Sequence, residues 1–233
     1  MKLIEVNCLT KDFGRIRALD DVNLHVEKGE TLGVVGESGS GKTTLARLIL
    51  RLLSPTDGEI IYADGFSRKD YQIVFQNPWT SLNPKMKVKD ILREPLKIHR
   101  INKDITRILN DVELDESFLD KYPHEMSGGE RQRIGIARAI SIEPKFMVLD
   151  EPVSSLDVTV QADVLRLIRK VRLEMGLTIM LIAHDLAVVR HMCDRVAVMR
   201  GGNIVETGNV EEIFKDPQHS YTKLLLGSIP RIT

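Results

Sequence analysis

Apolar and polar residues alternate along this chain with two different periods, and the switches between them mark out the elements. Ile4, Val6 and Cys8 alternate with polar neighbours, as do Val22, Leu24 and Val26, the second run closed by the turn-like Lys28-Gly29-Glu30. A period of two predicts half-buried strands, here of an antiparallel lobe. Thr31 to Val35 is a short, mostly apolar run suited to a strand buried on both faces of a parallel sheet. The period then becomes helical: Leu45, Leu48, Ile49, Leu52 and Leu53 share one face, Arg47 and Arg51 lie off it, and Ser54-Pro55 is the expected stop. Glu59 to Tyr62 and Tyr71 to Phe75 read as further strands, the first bracketed by Thr56-Asp57-Gly58 and Asp64-Gly65.

From Asn77 the character changes. Asn77-Pro78-Trp79 and Leu82-Asn83-Pro84 are loop-like, residues 88–120 carry helical spacing, and a mainly helical insertion is expected over residues 77–140. Phe146 to Leu149 predicts a short buried strand. Ser154-Ser155-Leu156-Asp157 then caps a helix with Val160, Val164, Leu167, Ile168 and Val171 on one face and Gly176 past its end. Thr178 to Ala183 is a buried strand, Val196 to Glu206 a hairpin around Gly201-Gly202-Asn203, and the remainder is helical. The pattern predicts one α/β domain over 1–233, with the core and an antiparallel β lobe in residues 1–76 and 141–233.

The bulk numbers narrow the function classes. With 233 residues, 42% of them hydrophobic, the chain can bury a full core. Lys plus Arg balance Asp plus Glu at 33 each, so no global field favours nucleic acid or an anionic membrane. Basic runs such as Arg166 to Arg172 read as a solvated helix face. No stretch approaches the roughly 18 apolar residues of a membrane span, and the N-terminus lacks a signal-peptide core, so a cytoplasmic location is expected. Cys8 and Cys193 sit inside apolar patterns, which predicts buried thiols, and the six histidines show no ligand spacing.

The chemistry centres on Gly36-Glu37-Ser38-Gly39-Ser40-Gly41-Lys42-Thr43-Thr44, between a predicted buried strand and a predicted helix. Small residues let several backbone N–H groups converge on one anion. Lys42 can then lie along the β- and γ-phosphates of a nucleoside triphosphate, with the Thr43 hydroxyl placed for the bridging Mg²⁺. A plain Gly/Ser turn would not require Lys42-Thr43 in register. Asp150-Glu151 closes a buried strand, a costly place for two carboxylates unless they are used; Asp150 suits the metal and Glu151 an attacking water. His184 follows a strand end and can reach a γ-phosphate. Ser127 and Glu130 form a capping box, but that does not explain Gly128-Gly129, which weaken a first turn by roughly 1 kcal/mol each. Glycines there would expose N–H groups at a positive helix end, suggesting a second anion site. Phe13, at a strand end, reads either as core or as a ring to stack on adenine.

In order along the chain, these residues resemble the ATPase subunit of the ATP-binding cassette (ABC) family, whose fold is a P-loop NTPase core with an antiparallel β lobe and an inserted helical subdomain. Gly36 to Thr44 is similar to its Walker A loop and Gln76 to its Q-loop glutamine. Ser127-Gly128-Gly129-Glu130 is similar to its LSGGQ signature, and Phe146 to Glu151 to Walker B with the catalytic glutamate. Ser155-Leu156-Asp157 is similar to its D-loop and His184 to its switch histidine. The resemblance implies ATP and Mg²⁺ as ligands. Gly36, Ser38, Gly39, Ser40, Gly41, Lys42, Thr43 and Thr44 would hold the phosphates, Phe13 the adenine, and Thr43, Gln76 and Asp150 the metal. Glu151, His184, Lys42 and Gln76 would be catalytic. Ser127, Gly128, Gly129 and Asp157 would meet ATP across a head-to-tail pair of ATPase subunits.

Within the family, Gln76-Asn77-Pro78, Ser81-Leu82-Asn83-Pro84, Tyr122-Pro123-His124-Glu125 and Pro217-Gln218-His219-Ser220-Tyr221-Thr222 resemble the oligopeptide, dipeptide and nickel importer branch. That implies two transmembrane permease subunits, indirectly an extracytoplasmic solute-binding protein, and a seat on the inner face of the cell membrane. Trp79 and its neighbours would face a membrane partner's loop. The alternative is a soluble ABC ATPase acting on nucleic acid or ribosomes, against which the balanced charge counts. Three departures stand out: Met126 and Glu130 in the signature, Ser220 in place of the usual Pro, and no C-terminal extension or cluster cysteines after it. No iron–sulfur cluster is therefore expected.

Overall fold

The computed structural model describes residues 1–76 and 81–227. In chain order, the elements begin with β1 (Lys2–Phe13), β2 (Ile16–Glu27), β3 (Thr31–Val35), α1 (Lys42–Ile49), β4 (Asp57–Tyr62) and β5 (Tyr71–Val74). Helices α2 (Val88–His99), α3 (Ile105–Asp111) and α4 (Gly128–Ile140) follow, then β6 (Phe146–Asp150) and α5 (Val158–Met175). The chain continues through β7 (Thr178–Ile182), α6 (Leu186–Met192), β8 (Arg195–Arg200), β9 (Asn203–Asn209), α7 (Val210–Lys215) and α8 (Ser220–Gly227). Asn77, Pro78 and Trp79 lie outside the described residues. The chain divides into two compact units, Met1–Phe66 with Thr178–Thr233, and Ser67–Leu177.

In the first unit β1 pairs antiparallel with β2 on one side and β4 on the other. The register Ile4↔Val26 and Val6↔Leu24 brings the alternating apolar positions together, and all four are buried. Cys8 departs from the expected pattern: it is exposed rather than buried. The register slips between Val6 and Leu9, Cys8 takes φ +49, and Leu9 occupies the interior place instead. A bulge inserts one residue and so exchanges the faces of those that follow.

All five residues of β3 are buried, as its unbroken pattern requires, and it runs parallel to β7 and β8, with β9 antiparallel on β8. Its start is anchored: Thr31 N–H donates to Asp194 Oδ2 at 2.7 Å, and the buried Glu30 takes Arg195 Nη1 at 3.1 Å. Helix α1 buries Leu45, Leu48 and Ile49 but stops at Ile49, earlier than its periodicity implies. Tyr62 Oη donates to the Ile49 carbonyl at 2.6 Å, Arg51 turns to φ +55, and the Leu52 and Leu53 amides fold back to the Arg47 carbonyl. Leu52 is consequently 45% exposed, and Ser54-Pro55 lies beyond the true end.

In the second unit β5 and β6 pair in parallel, Tyr71 opposite Phe146 and Val74 opposite Leu149. The apolar residues of β6 are fully buried, which accounts for their continuous run. Helices α2, α3 and α4 pack on one another, burying Ile91, Leu92, Ile108, Leu109 and Ile134, and α4 also packs on α5. Helix α5 runs from Asp157 at its N-cap to Gly176 at its C-cap, as its pattern predicts.

Asp70 anchors the start of β5. Its carboxylate takes the Ser67 amide at 2.5 Å and hydroxyl at 2.6 Å, and Lys145 Nζ lies 3.3 Å away. Burial pushes this carboxyl up, but the Ser67 hydroxyl and amide and the Lys145 ammonium outweigh it and hold the group below its ordinary 3.8. A depressed folded-state value contributes stability above the unfolded pKa and loses it as pH falls through the folded one. Asp70→Asn should therefore be less stable than the wild type at pH 7, and the gap should close as pH is lowered below about 4. Urea midpoints across that range check it, and a gap independent of pH would contradict the assignment.

Candidate functional site

In the first unit β3 delivers the chain into a loop that two glycines make possible. Gly36 has φ +149, and a Cβ there would stand 2.1 Å from the Met199 carbonyl oxygen. Gly41 has φ +106, and its Cβ would meet the Ala18 carbonyl oxygen and Leu19 Cδ2, each at 2.7 Å. The loop closes on itself through Ser40 N–H to the Glu37 carbonyl at 3.2 Å, while Gly202 N–H reaches the Ser40 carbonyl at 3.1 Å. Lys42 is buried, its ammonium donating to the Gly36 and Glu37 carbonyls at 2.8 Å each, with Ser40 Oγ at 3.5 Å. Ser38 and Gly39 form the exposed tip, and Thr43 and Thr44 lie half-buried in the first turn of α1. No side chain caps that helix at Gly41. An uncapped N-terminus with a lysine beside it is a site for an anion.

Phe13 ends β1 and is 47% exposed, which removes the core alternative; the Lys11 ammonium lies 5.2 Å from its ring centroid. His184 follows β7 and is exposed, just before Asp185 caps α6 by accepting from Ala187 N–H at 2.8 Å.

The second unit brings Gln76 and Glu151 together. Gln76 Nε2 donates to Glu151 Oε2 at 2.6 Å, with Ser154 Oγ 3.5 Å from the same nitrogen. Asp150 ends β6 and is 9% exposed. Glu151, next in the chain, has φ +49, a left-handed conformation that costs a non-glycine residue about 1–2 kcal/mol. Strain retained beside a buried carboxylate points to a functional corner.

Ser127 caps α4. Glu130 N–H donates to its hydroxyl at 3.3 Å, and the Ser127 amide donates to Glu130 Oε2 at 2.7 Å, the capping box the sequence predicts. Burial pushes the Glu130 carboxyl up, but the Ser127 amide and hydroxyl hold it below the ordinary range. The glycines between them have a packing reason that periodicity does not reveal. A Cβ at Gly129 would fall 2.5 Å from Val160 Cγ1, and one at Gly128 would fall 3.1 Å from Leu156 Cδ2. Asp157 caps α5 by accepting from Val160 N–H at 3.0 Å, and the glycine pair fits against the start of α5 and the residue before its cap. Tyr221 is the neighbour of the phosphate loop that sequence reasoning left out: its hydroxyl accepts from Glu37 N–H at 3.1 Å. A single tyrosine 184 positions along the chain offers no periodic or motif signal for such a contact.

A buried parallel strand, a glycine-bounded loop, and a lysine folded over that loop's carbonyls define a P-loop nucleotide-binding protein. Residues 19–154 match the ABC transporter family, and residues 205–233 match the family described as oligopeptide/dipeptide transporter, C-terminal region. The chain belongs to the ABC transporter family, as one of its nucleotide-binding ATPases. It is 44% identical to the oligopeptide transport ATP-binding protein OppF of Bacillus subtilis over 98% of this chain and 83% of that protein. It is 46% identical to the protein of that name from Haemophilus influenzae over 92% of this chain and 70% of that protein. Among solved structures it is similar to cbiO1 of Clostridium perfringens, described as part of the ABC transporter complex cbiONQ, with TM-score 0.82 and 26% identity. That match covers 99% of this chain and 97% of cbiO1. The ATP-binding cassette MJ0796, a dimer in a post-hydrolysis state bound to ADP and Pi, matches with TM-score 0.76 and 28% identity, covering 89% of this chain and 99% of that one.

The fit of Gly129 against Val160 is testable. Gly129→Ala removes a helix-breaking residue worth about 1 kcal/mol, yet should destabilise because its methyl meets Val160. Val160→Ala in the same chain should recover stability relative to Gly129→Ala alone. Thermal unfolding of the wild type, both single variants and the double variant measures the coupling; additive effects would exclude the contact.

Proposed function

We propose that this chain is the ATP-hydrolysing subunit of an oligopeptide importer, seated on the cytoplasmic side of the cell membrane through two permease subunits. The observation that carries the reading is the joint match of residues 19–154 to the ABC transporter family and of 205–233 to the oligopeptide/dipeptide transporter region. Relatives named as oligopeptide transport ATP-binding proteins support peptide over nickel or metal-chelate cargo, and disfavour a soluble ATPase working on nucleic acid or ribosomes. No helix among the described residues is long and apolar enough to cross a membrane, so the reading assigns the transmembrane path to other chains. A dimeric relative supports pairing with a second ATPase, and an extracytoplasmic binding protein would act through the permeases.

The core of residues 1–76 and 141–233 and the helical segment 77–140 then work as one ATPase domain. Phe13 stacks on adenine. The Gly36, Ser38, Gly39, Ser40, Gly41, Thr43 and Thr44 backbone surrounds the phosphates, and Lys42 leaves its loop carbonyls for their oxygens. Thr43, Gln76 and Asp150 offer the hydroxyl, amide and carboxylate oxygens that suit Mg²⁺, the nearly buried Asp150 carboxylate above all. When bound, Mg²⁺ offsets charge on the β- and γ-phosphates. Glu151 orients a water and takes its proton as the water oxygen bonds to the γ-phosphorus. The bond to the β–γ bridging oxygen breaks, and its electron pair leaves with ADP. His184 contacts the γ-phosphate. Ser127, Gly128, Gly129 and Asp157 serve the ATP held by the partner ATPase.

Glu151→Gln should keep the fold and ATP binding while turnover falls by at least about 100-fold, the lower range for loss of a general base. Single-turnover hydrolysis with nucleotide binding measured in parallel checks it; an undiminished rate would refute the role. Capture from native membranes tests the partners. Two multi-span proteins and a second ATPase should accompany the chain, whereas recovery with ribosomal or DNA-repair proteins would overturn import.

A further inference from the structure

The branch-typical segment near the C-terminus is tied to the phosphate loop. Tyr221, in the first turn of α8, is 2% exposed, and its hydroxyl accepts the Glu37 N–H at 3.1 Å. Its ring lies under Arg200 of β8, the guanidinium 4.9 Å from the centroid. Its own N–H donates to His219 Nδ1 at 3.1 Å, and Glu206 of β9 takes the Gln218 and His219 amides at 2.7 and 3.1 Å. The tyrosine is thus held from the β8–β9 side and from its own turn, and its polar end is spent on a loop amide.

That amide is a consequential one. The Glu37 carbonyl takes Lys42 Nζ at 2.8 Å and Ser40 N–H at 3.2 Å, so residue 37 is where the loop and its lysine meet. Gly36 before it is pressed against the Met199 carbonyl, and Ser40 after it is held by Gly202. Between these two backbone contacts Tyr221 supplies the side-chain contact that fixes the Glu37 peptide.

We propose that Tyr221 is a positioning residue for nucleotide binding, a strut from the C-terminal segment that presets the phosphate loop through the Glu37 amide. The inference rests on the nucleotide-binding reading of that loop. Loss of the hydroxyl leaves the ring and its packing in place but frees the Glu37 peptide, so part of the ordering must be done when ATP binds. The effect therefore falls on affinity: the dissociation constant and KM for ATP rise together while kcat changes little.

The test is Tyr221→Phe in the full chain, with ATP affinity, the KM and kcat of hydrolysis, and amide hydrogen exchange at Glu37 measured beside the wild type. Affinity should weaken by roughly 3- to 10-fold, the factor expected for one net hydrogen bond, and exchange at Glu37 should quicken with nucleotide absent. Tyr221→Leu, which also removes the ring, should add a loss of thermal stability that Tyr221→Phe lacks. Unchanged affinity and exchange in Tyr221→Phe would reduce Tyr221 to packing and overturn the strut. A wild type that bound no nucleotide would instead sink the reading of the loop, and the exchange measurement would still decide the strut.

Discussion

The phosphate loop depends on close approach of backbone to backbone. At Gly36 the chain leaves a fully buried strand and passes so near the Met199 carbonyl that a Cβ would sit 2.1 Å from it. At Gly41 it re-enters a helix against the Ala18 carbonyl. Any side chain at either place would push the loop out of its seat, so the loop's shape is set by β2, β8 and the turn after β8 as much as by its own residues. The anchoring of β3 through Thr31 to Asp194 and of Glu30 to Arg195 matters for the same reason: a strand free to slide would carry the loop with it.

Much of this was legible in the sequence because it arises from short-range rules. The alternation in β1 and β2 gave two strands of an antiparallel lobe, the unbroken apolar runs gave β3, β6 and β7, and Ser127 with Glu130 gave the start of α4. Legibility failed where one long-range contact overrode the local pattern. Leu52 continues the helical spacing of α1, yet Tyr62 takes the Ile49 carbonyl and Arg51 turns left-handed, so the helix ends before it. Cys8 continues the alternation of β1, yet a bulge turns it outward. The sequence pattern at Gly128 and Gly129 implies exposed backbone, and the structure adds close packing on Leu156 and Val160. Tyr221 carried only a branch resemblance, because nothing local to it records its bond to Glu37.

The signature helix shows how one residue change can leave a local device intact. Glu130 stands where Gln is usual, and its carboxylate takes the Ser127 amide, a bond that a glutamine carbonyl could also make. The added charge sits at the positive end of α4 and beside Ser127, which favours the ionised form. A phosphate approaching Ser127 would meet that charge, so the substitution tends to tighten the helix start while making the same place less welcoming to an anion. The balance turns on how far the carboxylate stays directed at the Ser127 amide, which shields part of its charge.

Lys42 and Glu151, the two groups that the proposed reaction relies on most, share a structural feature. Each is held by the protein's own groups: the ammonium by the Gly36 and Glu37 carbonyls, the carboxylate by the Gln76 amide at 2.6 Å. In the proposed reaction a phosphate oxygen would compete with two carbonyls for Lys42, and a water would compete with an amide for Glu151. Exchanging one good hydrogen bond for another costs little net free energy, so these contacts keep the groups in place without making them inaccessible. The asymmetry lies in what releases them. The Lys42 contacts lie within one loop, where a bound phosphate would itself exchange them. The Gln76 contact on Glu151 comes from outside that loop: Gln76 follows β5, where the chain leaves for the helical segment. Under the proposed function, binding would be a local event, whereas readiness for hydrolysis would answer to the segment that the importer reading assigns to the membrane partners.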